Sequence, residues 1–439
     1  MRGVTGRQEA LLATKLTSAP TETLKGVIDV PGDKSISHRA LILGGLAQGE
    51  TRISGLLEGD DVLRTADAVR VLGADVERLS PGEWLVRGTK WQSPPKSIDC
   101  GNSGTGARLL MGAAAGFPIR TTFVGDASLS SRPMDRVLGP LRAMGARTEG
   151  STLPVTICGG GLSGIRYVNE RASAQVKSAI LLAGLRARGE VEIVEPAPSR
   201  DHSENMLRAF GCDVESGHGF IRLGYRRELT GTNVQIPGDP SSAAFLVVAA
   251  LISAGSRVVI RDVMVNKLRA GLFTTLCEMG ANLLVMHDRR QGGEHVADLI
   301  VGGSALHGVE VPASRAPSMI DEYPVLAIAA AFAKGRTVMR GLSELRVKET
   351  DRVAAMVEGL RCCGVEAWDD GDTLIVEGMG GAVPGGADVH AYDDHRIAMS
   401  FLIMGLGAQQ PVTVDSADMI GTSFPRFVPL MRSIGARIG

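Results

Sequence analysis

Six stretches of nearly uninterrupted small apolar residues recur along the chain, and each follows a short polar or charged segment. They span residues 35–47, 102–115, 173–185, 241–254, 321–333 and 394–407. A helix that is apolar on nearly all sides must be buried, so each stretch predicts a core helix. Residues 62–74 (VLRTADAVRVLGA) instead alternate apolar and charged positions with a helical period. They predict a second kind of helix with one face in solvent.

A regular repeat connects these two kinds of helix. An apolar-Gly-small ending recurs about every 70 residues, and its glycines suit the left-handed position just after a helix. These glycines are Gly73, Gly145, Gly211, Gly280, Gly364 and Gly435. Short alternating segments such as residues 50–56 and 256–262 predict strands between the helices. The sequence therefore predicts six α/β units, each made of strand, buried helix, strand, surface helix and strand.

The two halves of the chain also resemble each other. Residues 27–53 align with residues 234–260, so that Pro31-Gly32-Asp33 recurs as Pro237-Gly238-Asp239. An open solenoid is the alternative for any repeat, but a turn that occurs twice rather than six times favours two lobes of three units. We predict a first lobe of residues 33–237 and a discontinuous second lobe of residues 1–32 plus 238–439. Hinges are expected near residues 31–33 and 237–239.

Composition narrows the class of protein. A chain of 439 residues exceeds what one core usually organises, and its formal net charge of -1 argues against a nucleic-acid surface. Its longest apolar runs, such as residues 243–254, fall short of the roughly 20 residues that cross a bilayer. Residues 1–24 lack a secretory signal and are interpreted as a short N-terminal extension. We expect a cytoplasmic monomer that binds neither membrane nor nucleic acid.

The cysteines and the acidic helix starts bear on metals and cofactors. Six cysteines form no CxxC pair and no Cys/His ligand spacing, so buried free thiols are expected. Asp321-Glu322 and Asp393-Asp394-His395 open two of the core helices and leave a metal site as an alternative. The adjacent Arg396 favours an anion instead. We therefore expect no metal and no organic cofactor.

Cations concentrate where the core helices begin, and helix N-termini attract anions through their unpaired N–H groups. Lys34 and Arg39 open the first core helix, where capping by Ser35 or Ser37 is the alternative to a binding role for the hydroxyls. Unpaired charges in such an apolar helix would be costly to bury, so a bound phosphate or carboxylate is expected. The Gly-rich turn 101–106 precedes Arg108 but fits neither a P-loop nor a dinucleotide fingerprint.

The segment 346–352 (RVKETDR) predicts the start of a surface helix in the second half. A solvated face with a Glu349–Arg352 ion pair is one interpretation. The other rests on Lys348 and Arg352, which would be like charges four residues apart and would need an anion between them. The sequence leaves both open, with the anion favoured.

At these residues the chain closely resembles the 5-enolpyruvylshikimate-3-phosphate synthase family. The resemblance runs from about Lys25 to the last residue. Its motifs occur in the family's order: PGDKSISHR, GNSGTGAR, SSRPM, SAQVKSA, PGDPSSAAF, IDEYP, RVKETDR and DDHRIAMSF. The resemblance implies a two-lobed enolpyruvyl transferase fold, an inside-out α/β barrel with three βαβαββ units per lobe. It also implies transfer of the enolpyruvyl group of phosphoenolpyruvate to shikimate 3-phosphate.

The resemblance assigns roles to particular residues. The shikimate 3-phosphate ligands would be Lys34, Ser35, Arg39, Ser173, Ala174 and Gln175. The phosphoenolpyruvate ligands would be Lys34, Gly104, Arg132, Lys348, Arg352 and Arg396. Asp321 would also contact substrate and accept the proton of the 5-hydroxyl, while Glu349 would exchange a proton with C3 of the donor. His395 and Lys348 would support charge nearby, and Lys34 would meet the charge of the departing phosphate.

Some positions depart from the family's best-known pattern. Glu344 stands where many members carry Asn, Ala174 where many carry Ser, and Thr422 where many carry a donor-binding Lys. Gly104 is the residue of many glyphosate-sensitive members, so inhibition by glyphosate competitive with phosphoenolpyruvate is expected. Two alternatives stay open. One is an enolpyruvyl transferase acting on UDP-N-acetylglucosamine, although no matching cysteine loop is present, and the other is a non-catalytic binding protein.

Overall fold

The computed structural model describes residues 14–217 and 219–439, which build six four-stranded sheets. The strands are β1 Leu16–Ala19, β2 Lys25–Asp29, β3 Glu50–Ser54, β4 Asp75–Ser80, β5 Glu83–Arg87, β6 Ile98–Asp99, β7 Arg120–Val124, β8 Arg147–Glu149, β9 Val155–Cys158, β10 Ser163–Val168, β11 Arg188–Val194, β12 Val214–Gly217, β13 Phe220–Leu223, β14 Asn233–Gln235, β15 Arg257–Met264, β16 Asn282–Gln291, β17 Glu294–Gly302, β18 Glu310–Val311, β19 Lys334–Met339, β20 Ala367–Asp370, β21 Thr373–Met379, β22 Asp388–Val389, β23 Val412–Val414 and β24 Arg437–Ile438.

The helices alternate with these strands. They are α1 Lys34–Leu46, α2 Asp60–Val71, α3 Gly104–Ala115, α4 Ala127–Ser131, α5 Asp135–Ala143, α6 Ala174–Gly184, α7 His202–Ala209, α8 Pro240–Ile252, α9 Gly271–Glu278, α10 Ala316–Met319, α11 Tyr323–Phe332, α12 Arg352–Cys362, α13 His395–Gly407 and α14 Phe427–Ser433. Short 3₁₀ helices span Ala313–Arg315, Ile320–Glu322, Ser343–Val347 and Ala417–Thr422. Among the described residues, no helix has both the length and the apolar character needed to cross a membrane.

The six sheets share one topology. In the sheet ordered β6-β7-β9-β8, β6 runs parallel to β7, and β8 and β9 form an antiparallel hairpin. Five units thus end in two consecutive strands, as in the βαβαββ pattern implied by the resemblance, and the sixth sheet takes β1 as its fourth strand. The unit of three strands predicted from the repeat alone is wrong by one strand. In the first three units the paired end strands are only three to six residues long and carry little alternation. All six repeat glycines adopt a φ between 80° and 116°, as predicted for the position after a helix.

Two strands are exchanged between the halves of the chain. Strand β2 pairs with β15, and β14 pairs with β3, both in parallel. The exchanged segments meet where Asp33 N donates to Pro237 O at 2.8 Å and Asp239 N donates to Pro31 O at 2.9 Å. We call the sheets of β3–β14 with their helices the first lobe, and the sheets of β1, β2 and β15–β24 the second. The predicted residue boundaries of the lobes stay a prediction, and residues 1–13 lie outside the described part.

The N-terminal extension is where the sequence interpretation is wrong. Leu16–Ala19 forms β1, which pairs antiparallel with both β23 and β24 and completes the sixth sheet. The reason is that four residues (LTSA) give no usable alternation, so only the long-range pairing reveals the strand. The predicted extension therefore fails for residues 16–19, and its first thirteen residues lie outside the described part.

Two apolar clusters lie inside the lobes, and the six predicted core helices pass through them. The helices pack closely: a methyl group on Gly112 of α3 would lie 2.4 Å from the carbonyl oxygen of Ala179 in α6. Two of their polar N-termini meet at the junction of the lobes, where Lys34 N at the start of α1 donates to Asp239 Oδ2 before α8 at 3.4 Å. The expectation of buried thiols is right for Cys100, Cys212 and Cys363 and wrong for Cys277 and Cys362, which are exposed because they lie on surface helices.

Candidate active site

Arg39 lies on α1, on the first-lobe side of the gap, and its side chain is buried at 4% exposure. Its Nε donates to Ser203 Oγ at 2.8 Å, its Nη2 to Ser178 Oγ at 2.7 Å and its Nη1 to Ser35 O at 2.9 Å. Among the described residues, no carboxylate forms an ion pair with it. Burial lowers the pKa of Arg39 from 12.5 to about 10. The guanidinium is therefore held by uncharged partners, and the carboxylates that act on it, Asp33 first, do so from beyond ion-pair distance.

Lys34 is the first residue of the same helix, which Asp33 caps by accepting from Ile36 N at 2.7 Å. Its ammonium group forms an ion pair with Asp61 at the start of α2. Its backbone N donates to Asp239 Oδ2 at 3.4 Å, so the start of α1 contacts the start of α8 in the other lobe. Lys34 therefore lies at the junction of the lobes.

The Gly-rich turn brings two further arginines together. Ser103 caps α3, and a methyl group on Gly104 would lie 2.9 Å from Arg108 Nη1 and 3.4 Å from Arg132 Nη1. Arg132 Nη2 donates to Asn102 Oδ1 at 2.6 Å. Burial, followed by the charge of Arg132, lowers the pKa of Arg108 to about 10. The absence of a side chain at position 104 lets both guanidinium groups lie against the helix start.

The third core helix of the first lobe begins with Ser173, whose hydroxyl accepts from the helix backbone as its N-cap, and Ala174. Gln175 Oε1 accepts from Arg108 Nη1 at 2.9 Å, and Gln175 Nε2 donates to Thr105 Oγ1 at 2.9 Å. The residues predicted on α1, α3 and α6 thus lie side by side, linked by hydrogen bonds among their side chains.

Asp321 lies in a 3₁₀ turn before α11 and has cations on several sides. Its carboxylate lies 2.8 Å from Arg200 Nη2, 3.3 Å from Lys348 Nζ and 3.7 Å from Arg352 Nη1. Its carbonyl accepts from Arg396 Nη1 at 2.9 Å. Burial acts to raise the pKa of Asp321, but Lys348 and Arg200 outweigh it and hold the pKa well below its usual range. The carboxyl group is therefore ionised.

Arg352 organises the neighbouring carboxylates and is only 1% exposed. Its Nε donates to Asp394 Oδ2 at 2.7 Å and its Nη2 to Glu349 Oε2 at 2.6 Å. Burial acts to raise the pKa of Glu349, but Arg352, with Arg132 and Lys348, holds it well below its usual range. Both carboxylates proposed for proton transfer therefore carry negative charge in the ligand-free protein.

The helix predicted from residue 346 begins later than expected. Residues 343–347 form a 3₁₀ turn, Asp351 caps the helix, and α12 starts at Arg352. Lys348 and Arg352 therefore do not lie one turn apart on the same helix. The argument that their helical spacing requires an anion between them is wrong, because the chain between them is not helical. The anion between them is the carboxylate of Asp321. The alternative interpretation as a solvated helix face is wrong as well. The Glu349–Arg352 ion pair forms, but the Arg352 guanidinium is buried.

His395 and Arg396 open α13, which Asp394 caps through the backbone N of Arg396 at 2.8 Å. Burial lowers the pKa of His395 well below 6.5, so the imidazole is neutral at pH 7. Its expected support of charge during the reaction stays a prediction. Asp394 binds Arg352 and Asp393 accepts from Ser416, so these acids already have protein partners and form no metal cluster among the described residues.

Opposite charges meet across the gap between the lobes. The pairs are Arg200–Asp321 at 2.8 Å, Arg132–Glu349 at 3.8 Å and Arg136–Glu344 at 3.0 Å. The sequence did not single out Arg136 or Arg200 as part of the site, and it gave no binding role to Arg108 and only a possible metal-binding role to Asp394. A usable signal existed for Arg200, because it precedes the surface helix α7 just as Lys348 and Glu349 precede α12 in the matching place of the repeat.

Comparison with known proteins agrees with this arrangement. A family model described as EPSP synthase (3-phosphoshikimate 1-carboxyvinyltransferase) matches residues 18–431. The chain belongs to the EPSP synthase family. Its relatives include the 3-phosphoshikimate 1-carboxyvinyltransferase of Parvibaculum lavamentivorans, 57% identical over 436 residues with 97% of each chain covered. That of Caulobacter vibrioides is 54% identical over 435 residues, covering 96% of this chain and 98% of the relative.

The solved structures give the same result for the fold. A 2.37 Å structure of EPSP synthase from Acinetobacter baumannii superposes with a TM-score of 0.88 at 44% identity, covering 97% of this chain and 99% of that chain. The family, the fold class and the transferase activity predicted for this EPSP synthase family member are confirmed. The matches do not favour the alternative acting on UDP-N-acetylglucosamine.

Proposed function

We propose that this chain transfers the enolpyruvyl group of phosphoenolpyruvate to the 5-hydroxyl of shikimate 3-phosphate and releases inorganic phosphate. The observation that supports this most directly is the buried Arg39, together with the half-buried Arg108. Neither guanidinium forms an ion pair with a carboxylate among the described residues, and burial lowers the pKa of both. Cations without an ion-pair partner beside helix N-termini are stabilised by an anionic ligand. Two anionic substrates would supply that charge.

The acceptor is proposed to bind against the first lobe, with its 5-hydroxyl at Asp321 of the second lobe. Its ring carboxylate suits the fixed guanidinium of Arg39, and its phosphate suits the open start of α6. The residues proposed for shikimate 3-phosphate are Lys34, Ser35, Arg39, Ser173, Ala174 and Gln175. Phosphoenolpyruvate would lie between the lobes against Lys34, Gly104, Arg132, Lys348, Arg352 and Arg396.

Proton transfer needs one base and one acid, and Asp321 and Glu349 are proposed for these roles. The hydroxyl oxygen attacks C2 of the donor while its proton passes to Asp321 and C3 gains a proton from Glu349. The carboxylate of Glu349 then takes a proton back from C3 of the tetrahedral intermediate as the C2–O bond to phosphate breaks, and the proton on Asp321 passes to the departing phosphate. Lys34 and the arginines stabilise the phosphate that leaves.

The low pKa values of both carboxylates make this chemistry depend on substrate. In the free protein Asp321 and Glu349 are ionised because cations surround them. When phosphate and carboxylate groups of the substrates engage Lys348, Arg200 and Arg352, those cations are shared and the pKa values of both acids rise. Glu349 can then hold the proton that it must give to C3.

Phosphate release measured with both substrates, and with each alone, tests the proposal. We expect release only with the pair, and none when UDP-N-acetylglucosamine replaces shikimate 3-phosphate. Binding of both substrates without release would instead support the non-catalytic alternative.

Glyphosate is expected to compete with phosphoenolpyruvate. Resistance at millimolar inhibitor would mean that neighbours of Gly104 such as Leu109 determine the sensitivity. We further propose that the protein is a cytoplasmic monomer, and sedimentation tests its oligomeric state.

Closure of the lobes about residues 31–33 and 237–239 is part of the proposal. The exchanged strands make these two turns the crossing points of the chain. Small-angle scattering should give a smaller radius of gyration with both substrates bound than with neither. An unchanged radius would contradict closure.

A further inference from the structure

One of the three inter-lobe ion pairs, Arg136–Glu344, lies at the edge of the site, where no substrate contact is assigned. We call it the outer pair. Arg136 is the second residue of α5 in the first lobe, and its Nη1 lies 3.1 and 3.0 Å from the two carboxylate oxygens of Glu344 in the second. Arg136 follows Arg132 by four residues, and Glu344 precedes Glu349 by five. The same two segments therefore make both the outer pair and the Arg132–Glu349 contact.

Both ends of the outer pair are fixed to their lobes. Met134 and Val137, which flank Arg136, are completely buried, and Met134 N donates to Ser151 O at 2.9 Å. Leu345, next to Glu344, is 1% exposed and belongs to the apolar core of the second lobe. The ion pair therefore connects two rigid supports rather than two mobile loops.

The outer pair itself is partly open to water. The side chains of Arg136 and Glu344 are 37% and 44% exposed, so their attraction is screened by salt and costs little desolvation. Around them the first lobe presents Arg108, Arg132 and Arg136, while the second presents Glu344 and Glu349. The two lobes attract each other along this edge whether or not substrate is present.

We propose that Arg136 and Glu344 are positioning residues that act as a clasp between the lobes and set the place of Glu349 relative to Arg132. The inference rests on the proposed function. A clasp that favours the assembled site raises the apparent affinity for both substrates by the same factor, because only the assembled fraction binds. A residue that contacts one substrate would change the affinity for that substrate alone.

Steady-state kinetics of Arg136→Ala, Glu344→Ala and the charge-swapped double variant Arg136→Glu/Glu344→Arg test the clasp. At low salt we expect each single variant to raise KM for both substrates by the same factor, about two- to fivefold, with a smaller change in kcat. The swap should restore most of the loss, and high salt should remove the difference. Arg142→Ala, which breaks an exposed pair with Asp135 on the same helix, is the matched control and should behave as wild type.

Folded single variants with unchanged KM, or a swap as impaired as either single variant, would overturn the clasp. A change in KM for one substrate only would overturn it too, because it would indicate a direct contact. If the wild type releases no phosphate, the proposed function fails. Small-angle scattering of the ligand-free protein then tests the clasp independently of activity. Ligand-free Glu344→Ala should have a larger radius of gyration than wild type at low salt, and an equal radius would reject the clasp.

Discussion

Replacing Arg39 by methionine should separate the stability of the protein from its ability to bind substrate. The charge is buried, and burial lowers the pKa of Arg39 from 12.5 to about 10. That fall corresponds to roughly 3 kcal/mol by which folding disfavours the guanidinium, and the effect is fully present at pH 7.5. Methionine has a similar length without charge, and Ser178 and Ser203 remain hydrogen-bonded to each other at 2.7 Å.

Loss of three hydrogen bonds from the guanidinium offsets part of this gain. We expect the free energy of unfolding of ligand-free Arg39→Met to exceed that of wild type by about 1–3 kcal/mol. Urea unfolding with and without shikimate 3-phosphate is the assay. Ligand should stabilise the wild type and leave the variant nearly unchanged. Arg39→Lys, which keeps the charge, should not gain stability.

Two results would refute this reasoning. A ligand-free variant less stable than wild type by more than about 1 kcal/mol would mean that the hydrogen bonds outweigh the buried charge. Equal stabilisation of variant and wild type by shikimate 3-phosphate would mean that Arg39 does not bind the acceptor.

Three other substitutions test the rest of the site. Asp321→Asn and Glu349→Gln should each lower turnover about 10²- to 10⁴-fold, while calorimetry shows substrate affinities within about tenfold of wild type. Gly104→Ala puts a methyl group 2.9 Å from Arg108 Nη1, so KM for phosphoenolpyruvate should rise about three- to tenfold with little change for the acceptor. Burial and Asp33 raise the pKa of Asp239 from 3.8 to about 6. The folded protein therefore takes up this proton, and the contribution of Asp239 to the free energy of unfolding should rise as pH falls from about 7 to 4. Asp239→Asn should weaken that dependence in urea titrations, and an unaltered pH profile would exclude this carboxyl group as its source.

Local patterns in the sequence predict the core helices well. The stretch 173–185 corresponds to α6 at Ala174–Gly184, and the stretch 394–407 corresponds to α13 at His395–Gly407. Each signal lies within a single segment, because a buried helix needs apolar residues on all its faces and a polar residue to cap its start. The resemblance to the family then predicted which helix starts would come together.

Features that depend on contacts between distant parts of the chain were harder to predict from the sequence. The four residues of β1 have no pattern of their own and become a strand only through β23 and β24. The partner of Glu349 was anticipated, but the burial of Arg352 by Asp394 was not, since the two residues are 42 positions apart. The neutral state of His395 likewise follows from its burial, which the short motif DDHR does not encode.

The exchange of strands between the halves has a consequence for synthesis on the ribosome. Residues 25–29 emerge early, but their partner β15 follows more than 200 residues later, and β1 waits for β24 at residues 437–438. At about 5–20 residues per second, these N-terminal strands spend tens of seconds without partners while the first lobe has all its own strands. Strands β1 and β2 are therefore joined to the second lobe only after β15 and β24 have been made, when the strands of the first lobe are already present.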